Sequence, residues 1–174
     1  MKARYAFIVI FLAGIGFVIA SSFVKSPTIP DLTFADAEDN KITVDEILQE
    51  NDYLLMVLLS DRDLYSKKAI QVLTELYPDY SESMEFLGLM IGGKSKAESL
   101  ADEREIPFGV YAIRSGHDKM ALNEFIEKAG RKGCVRSEIR TGDIVVVDFD
   151  REIVFTLKGD KLDEVGTELS GLLE

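Results

Sequence analysis

Few residues in this chain of 174 amino acids are of the types that perform covalent or metal chemistry. There is one cysteine, Cys134, and one histidine, His117, so no disulfide can form within the chain. The usual zinc site of Cys and His ligands cannot be assembled either. A serine–histidine–aspartate mechanism would have to use His117, whose Ser-Gly-His-Asp surroundings are typical of a loop. We therefore expect no metal, no cofactor and no catalytic residue of these types.

Cys134 is the candidate reactive thiol, and it lies within a run of basic residues. Neighbouring cations favour the reactive thiolate form when a thiol is exposed. The run stands out because the whole chain carries a formal net charge of −11. It is either a solvated loop or a docking patch for an acidic partner or lipid headgroups. Its members are Lys128, Arg131, Lys132, Arg136 and Arg140, interrupted by Glu138.

A second candidate site is the polar turn of residues 60–63. A continuous apolar run from Tyr53 to Leu59 precedes it, and apolar residues at helical spacing follow it up to Tyr77. This pattern predicts a buried strand that enters a helix through a tight turn, and we expect Pro78 to end that helix. Chemistry in α/β sheets is usually sited at such turns. The turn contains Asp61, Arg62 and Asp63, which are either an acid pair with a cation or a solvated turn.

The remaining elements that position this turn are also visible in the pattern of apolar residues. Strands and helices alternate, which favours a single α/β sandwich over residues 31–174. A capping box at Thr43 and Glu46 predicts a short helix. Residues 88–95 match the phosphate-binding G-x-x-x-x-G-K-S pattern, but apolar residues 89–91 continue the strand, so we expect no nucleotide. The predicted strands are 32–34, 41–43, 53–59, 84–91, 106–113, 144–147 and 153–157.

The N-terminal segment is apolar enough to cross a membrane. Residues 6–24 carry no charge, and a helix of about 19 residues spans roughly 28 Å, close to the hydrocarbon thickness of a bilayer. We predict a transmembrane anchor over residues 1–25 and a linker over 26–30, with a signal peptide cleaved after Ala20-Ser-Ser as the alternative. Lys2 and Arg4 place the N-terminus in the cytoplasm and the soluble domain in the periplasm, outside the inner membrane.

Three stretches share a pattern with one known group of proteins. They are Pro30-Asp-Leu-Thr-Phe34 continuing to Ile47, Glu105-Ile-Pro-Phe108, and Ile144-Val-Val-Val-Asp148 continuing to Phe155. In order and spacing they resemble the thioredoxin-like superfamily, in the membrane-anchored form related to TlpA, ResA and the peroxiredoxins. The resemblance implies a thioredoxin-like α/β sandwich, with a central mixed sheet flanked by helices, preceded by one N-terminal transmembrane helix.

The resemblance also implies a redox site, and the chain departs from it. The Cys-x-x-Cys motif of the superfamily falls without gaps on Asp63-Leu64-Tyr65-Ser66, so both cysteines are absent. The position of its cis-proline corresponds to Gly142, and the peroxidatic Thr-x-x-Cys is missing as well. A thiolate is the nucleophile of disulfide exchange, and neither a carboxylate nor a hydroxyl replaces it. We therefore expect no thiol–disulfide exchange at this turn.

These observations favour a non-catalytic protein-binding domain, acting as an accessory or assembly subunit of an envelope membrane complex. The expected partners are other membrane or envelope proteins and, through residues 6–24, the lipid bilayer. Nucleic acid is disfavoured because the chain is acidic overall. The alternatives are a thiol–disulfide oxidoreductase or peroxiredoxin-like enzyme working through Cys134, and a cleaved, free envelope chaperone. The candidate partner contacts are Asp61, Arg62, Arg131, Lys132, Arg136 and Arg140.

Overall fold

The computed structural model describes residues 28–35, 41–113, 122–128 and 139–173. Helices and strands alternate through them, as the apolar pattern predicts. The strands are β1 (Thr33–Ala35), β2 (Lys41–Thr43), β3 (Tyr53–Leu59), β4 (Met84–Ile91), β5 (Gly109–Ile113), β6 (Ile144–Asp148) and β7 (Ile153–Leu157). The helices are α1 (Val44–Leu48), α2 (Leu64–Tyr80), α3 (Lys94–Arg104), α4 (122–128) and α5 (Val165–Leu173), the last preceded by a 3₁₀ turn at Leu162–Glu164.

The strands form one mixed sheet in the order β2-β1-β5-β4-β3-β6-β7. Strands β3, β4 and β5 pair in parallel, whereas the other neighbouring pairs are antiparallel: β3 with β6, β6 with β7, β5 with β1, and β1 with β2. Strand β3 is near the centre, which explains its uninterrupted apolar sequence: residues 54–59 are buried on both faces. Alternate side chains of β3 pack against α2, α3 and α5 on one face and against α1 and α4 on the other. The predicted α/β sandwich is confirmed.

The first described residues, Thr28 and Ile29, pair with the sheet at the end where β3 begins. Thr28 forms an isolated bridge with Glu152, and the Ile29 N–H donates to the Arg151 carbonyl oxygen at 3.0 Å. Ile29 is only 2% exposed and packs in the core beneath α1. The folded domain therefore includes Thr28 and Ile29, which the sequence predicts to be linker, because the Ile29 side chain is apolar and finds a buried position.

The predicted membrane anchor, residues 6–24, lies outside the described residues. Within the ranges that the structure describes, no helix combines the length and apolarity that crossing a membrane requires.

Helix α2 continues past Pro78 and ends at Tyr80, so the prediction that Pro78 ends it is wrong. A proline inside a helix removes one backbone hydrogen bond. Here tertiary contacts hold the last turn in place: the Tyr80 hydroxyl lies 2.8 Å from the Ser170 hydroxyl, and the Tyr77 ring packs edge-on against Phe86 at 5.4 Å. Packing of the two tyrosines outweighs the local effect of the proline.

Gly88, the first glycine of the phosphate-binding pattern, lies inside β4 between Val57 and Val110 of the neighbouring strands. A Cβ atom there would lie 2.8 Å from Leu59 Cδ1. The glycine therefore serves the close packing of side chains over the sheet, and it does not open a loop.

Candidate functional site

The turn between β3 and α2 is closed by hydrogen bonds among its own residues. Asp63 caps α2: its Oδ2 accepts from the Ser66 N–H at 3.0 Å and from the Ser66 hydroxyl at 3.1 Å. Ser66 is 0% exposed, and its Oγ accepts from the Ser60 N–H at 3.0 Å. The two positions that correspond to the cysteines of the superfamily are therefore occupied by a carboxylate and a hydroxyl that bind each other and the turn.

The protonation of Asp63 follows from these contacts. Burial raises the pKa of this carboxyl, but hydrogen bonds from Ser66, Thr141 and Tyr65 together outweigh it and hold the pKa below its usual range. Asp63 is consequently an ionised acceptor at neutral pH. It is suited to capping the helix and unsuited to donating a proton.

Opposite the turn, residues 140–143 extend the pairing of β3 with β6. The Gly142 N–H donates to the Leu58 carbonyl oxygen at 2.7 Å, and the Leu58 N–H donates to the Asp143 carbonyl oxygen at 3.3 Å. Gly142 has a φ of 86°, in the left-handed region that favours glycine. Proline lacks the N–H and has φ near −65°, so this backbone does not accommodate it.

Tyr65 fits between two glycines that come from different loops. A Cβ on Gly142 would lie 2.5 Å from Tyr65 Cβ, and one on Gly159 would lie 3.1 Å from the same atom. We call the space between Gly142 and Gly159 the glycine slot. Asp143 joins its two sides: Oδ2 accepts from the Arg140 N–H and Oδ1 from the Gly159 N–H, both at 2.8 Å. The position of Tyr65 is therefore specified by three separate segments of the chain.

The outer surface of the site is apolar at its centre. Leu64 is 76% exposed and Tyr65 49% exposed, although both are large hydrophobic residues. A cavity of about 220 Å³ lies next to Tyr65. Its lining residues are Tyr65, Arg140, Thr141, Asp143, Lys158, Gly159 and Asp160. This arrangement provides contact area and charge, and none of the described residues that form it is a cysteine.

The predicted site residues are only partly brought together. Asp61 binds Lys96 at 3.2 Å, and that hydrogen bond lowers the pKa of Asp61 below its usual range more than its slight burial raises it. Asp61 and Asp63 bind different donors, Lys96 and Ser66 respectively. Arg62 is exposed on the turn, and Arg140 borders the cavity. The other candidates, His117, Arg131, Lys132, Cys134 and Arg136, lie outside the described residues.

Three features of the site are missing from the sequence-based candidates. They are the exposed residues Leu64 and Tyr65, the glycine Gly159 and the cation Lys158. One signal was available for Leu64, which lies off the helical spacing of Ala69 and the other inward-facing residues of α2. Tyr65 lies four residues before Ala69, at helical spacing, so the sequence pattern carries no signal of its exposure.

The described residues also bear on metal binding. Across the ranges that the structure describes, no group of three or more His, Cys, Asp or Glu side chains is placed to hold a metal ion.

Comparison with solved structures identifies the fold as thioredoxin-like. No family model matches the chain, and no curated protein matches its sequence. The similar structures include peroxidoxin BcpB from Mycobacterium tuberculosis (TM-score 0.63, 13% identity, 83% of this chain and 92% of that one). A thiol:disulfide interchange protein from Bacteroides sp. has TM-score 0.62 and 15% identity over 84% of this chain and 90% of that one. The thioredoxin domain of a thiol-disulfide oxidoreductase from Bacteroides vulgatus has TM-score 0.64 and 14% identity over 84% of this chain and 98% of that one.

Proposed function

We propose that this chain, which has the thioredoxin-like fold, binds a protein partner through the surface around Tyr65 and performs no thiol–disulfide exchange there. The observation that carries the proposal is the glycine slot, which presents Tyr65 beside the exposed Leu64 at the turn that lacks both cysteines. Adjacent exposed apolar side chains are typical of interaction surfaces, whereas isolated ones are common, and a fixed aromatic ring contributes contact area at little entropic cost. An ordered apolar surface is what a binding function requires.

The setting of this function is also part of the proposal. The chain is an accessory or assembly subunit of an envelope membrane complex, anchored in the inner membrane through residues 6–24 with its domain in the periplasm. The apolar, uncharged sequence of that segment supports an anchor. We call the surface formed by the exposed residues Leu64 and Tyr65 the Tyr65 surface. Thr28 lies at the opposite end of the sheet, so an anchored domain would direct the Tyr65 surface away from the bilayer.

Site-specific photo-crosslinking in the native membrane tests the proposal. A photoreactive amino acid replaces Tyr65 in the full-length chain, and a matched variant carries it at Phe149, which is 68% exposed at the other end of the sheet. We expect a discrete protein adduct from position 65 and none of the same mass from position 149. Equal adducts from both positions, or none from position 65, would contradict the proposal.

The second candidate is a thiol–disulfide oxidoreductase or peroxiredoxin-like enzyme that works through Cys134. It is favoured by the fold, because the similar solved structures include a thiol:disulfide interchange protein and a peroxidoxin. Insulin reduction and peroxide turnover are measured for the wild type and for Cys134→Ser. Turnover by the wild type that disappears in the variant would replace the first proposal with this one.

A further inference from the structure

Cationic side chains without a carboxylate partner border the Tyr65 surface. Elsewhere in the described part of the chain, Lys96, Arg151 and Lys161 each form an ion pair with a nearby carboxylate, at 3.0 to 3.3 Å. Among the described residues, five other cations that line concavities beside Leu64 and Tyr65 form no such pair. They are Lys67, Lys68, Arg104, Arg140 and Lys158.

These cations lie in two concavities, one on each side of the exposed apolar pair. The cavity of about 220 Å³ beside Tyr65 contains Arg140 and Lys158. A groove of about 640 Å³ beside Leu64 contains the other three cations. The N-terminus of α2 also lies beside the apolar pair, where the ionised Asp63 cap offsets the positive end of the helix dipole.

The carboxylates that border the same concavities are fewer and partly engaged. Asp143 accepts two backbone N–H groups, as described above, and Glu75 Oε1 accepts from Gln71 Nε2 at 3.2 Å. Asp160 is exposed. Cations therefore outnumber carboxylates around the apolar pair, five to four when the Asp63 cap is counted, although the formal net charge of the chain is −11.

We propose that the occupant of this surface is a protein segment in which acidic side chains flank an apolar one. Its apolar group covers Leu64 and Tyr65, and its carboxylates reach the cations of the two concavities. This inference rests on the proposed function and adds the chemistry of the partner. Opposite charges across an interface raise the association rate and exclude partners of the wrong sign, which would give specificity to a small apolar contact.

For a domain held by the proposed anchor, the geometry favours a protein segment over lipid headgroups as the source of negative charge. The Tyr65 surface lies at the carboxyl end of β3, whereas Thr28 pairs next to the β6–β7 turn, level with Tyr53 at the other end. A strand of the length of β3 spans about 20 Å. A bilayer reached by residues 6–24 would therefore lie beyond the opposite end of the sheet.

Fluorescence anisotropy with labelled peptides tests the charge requirement on the purified full-length chain. The probe is a short peptide in which glutamates flank a Leu-Phe pair. One comparison peptide has lysines in place of the glutamates, and another has serines in place of the Leu-Phe pair. We expect each comparison peptide to bind at least about fivefold more weakly. We also expect the affinity of the probe to fall several-fold between about 50 and 300 mM NaCl, because salt screens exposed charges.

Charge-reversal variants locate the binding. Lys68→Glu and Lys158→Glu are each expected to weaken probe binding by about fivefold or more. Lys41→Glu is the matched control: it makes the same change in net charge on β2, four strand positions from β3 in the sheet, and is expected to change the affinity by less than about twofold. Equal binding of the lysine peptide, or equal effects of all three variants, would overturn the proposal.

Two further outcomes separate this inference from its premise. If crosslinking from position 65 captures a protein and Lys68→Glu leaves the yield unchanged, the acidic occupant is wrong and the proposed function stands. If position 65 captures nothing, the proposed function itself fails. Co-flotation with phosphatidylglycerol vesicles that is lost in Lys68→Glu would identify lipid as the anion source and overturn the protein segment.

Discussion

Adding one methyl group at Gly142 is expected to destabilise the domain strongly. A Cβ at this position would lie 2.5 Å from Tyr65 Cβ and 2.8 and 2.9 Å from the backbone carbon and oxygen of Tyr65. Because two of these atoms belong to the backbone, a change of rotamer cannot relieve the contact. The φ of 86° is also unfavourable for any residue with a Cβ.

The magnitude follows from two contributions. Left-handed backbone costs an alanine about 1–2 kcal/mol. Overpacking of a well-ordered contact costs typically about 1–3 kcal/mol. We therefore expect Gly142→Ala to lower the free energy of unfolding by about 3 kcal/mol or more, and the Tm by about 10 °C for a domain of this size.

Urea and thermal unfolding of the purified protein, followed by circular dichroism, measure this loss. Gly171→Ala is the matched control, because Gly171 lies in α5 with no atom within 4 Å of an added Cβ. In that helix the same methyl group is expected to stabilise by about 0.5–1 kcal/mol. A loss below about 1 kcal/mol for Gly142→Ala, or the same change for both variants, would refute the existence of the glycine slot.

Three further predictions concern titratable groups and the turn. Asp63→Ala is expected to cost about 1 kcal/mol at neutral pH and Asp63→Asn much less, since asparagine also caps helices. Because the pKa of Asp63 is lowered, the ionised carboxylate stabilises the fold above about pH 4, and this stabilisation is lost as pH falls through the folded-state pKa. The difference in free energy of unfolding between wild type and Asp63→Ala should therefore disappear in acid. Burial, and then the charge of Glu50, raise the pKa of Glu85, so the ionised form of Glu85 opposes folding. Glu85→Gln should therefore increase the free energy of unfolding at pH 7, and the increase should disappear near about pH 4, where Glu85 is protonated in both states. Urea unfolding at a series of pH values measures this difference. Asp63→Cys combined with Ser66→Cys places Sγ atoms at the positions of Asp63 Cγ and Ser66 Oγ, in two side chains that now contact each other through a 3.1 Å hydrogen bond. Mass spectrometry should detect the loss of two hydrogens on air oxidation.

The elements that the sequence predicts best are those in which local and tertiary effects agree. Strand β4 has the predicted bounds, Met84 to Ile91, because a strand buried on both faces is mainly apolar, with Glu85 near its start as the one charged residue. The capping box is also present: the Glu46 N–H donates to Thr43 Oγ1 at 3.2 Å, and Glu46 Oε2 accepts from the Thr43 N–H at 2.8 Å. Pro78 misleads because contacts with a distant helix, invisible to a local pattern, stabilise the turn that contains it.

The site is less accessible to sequence reasoning than the fold. The location of the turn follows from the apolar run of β3, and the absence of cysteine there is evident from the sequence. The slot around Tyr65 depends on Gly142 and Gly159, which are distant from it in the chain and meet it only because β6 pairs with β3 and the β7–α5 connection folds back. Contacts that join three separate segments leave no periodic signal in any one of them.

The glycine slot also constrains how this domain could acquire a disulfide-exchanging site by single substitutions. Proline at position 142 would lose the hydrogen bond to Leu58 and collide with Tyr65. Removing Tyr65 first would leave two glycines facing an empty space. New cysteines at positions 63 and 66 would remove the Asp63 cap of α2. The facing loop, residues 140–143, would still have the left-handed backbone at Gly142 that excludes proline. Each single step is therefore unfavourable before the others are made, so this turn is separated from a Cys-x-x-Cys site by the order of the required substitutions as well as by their number.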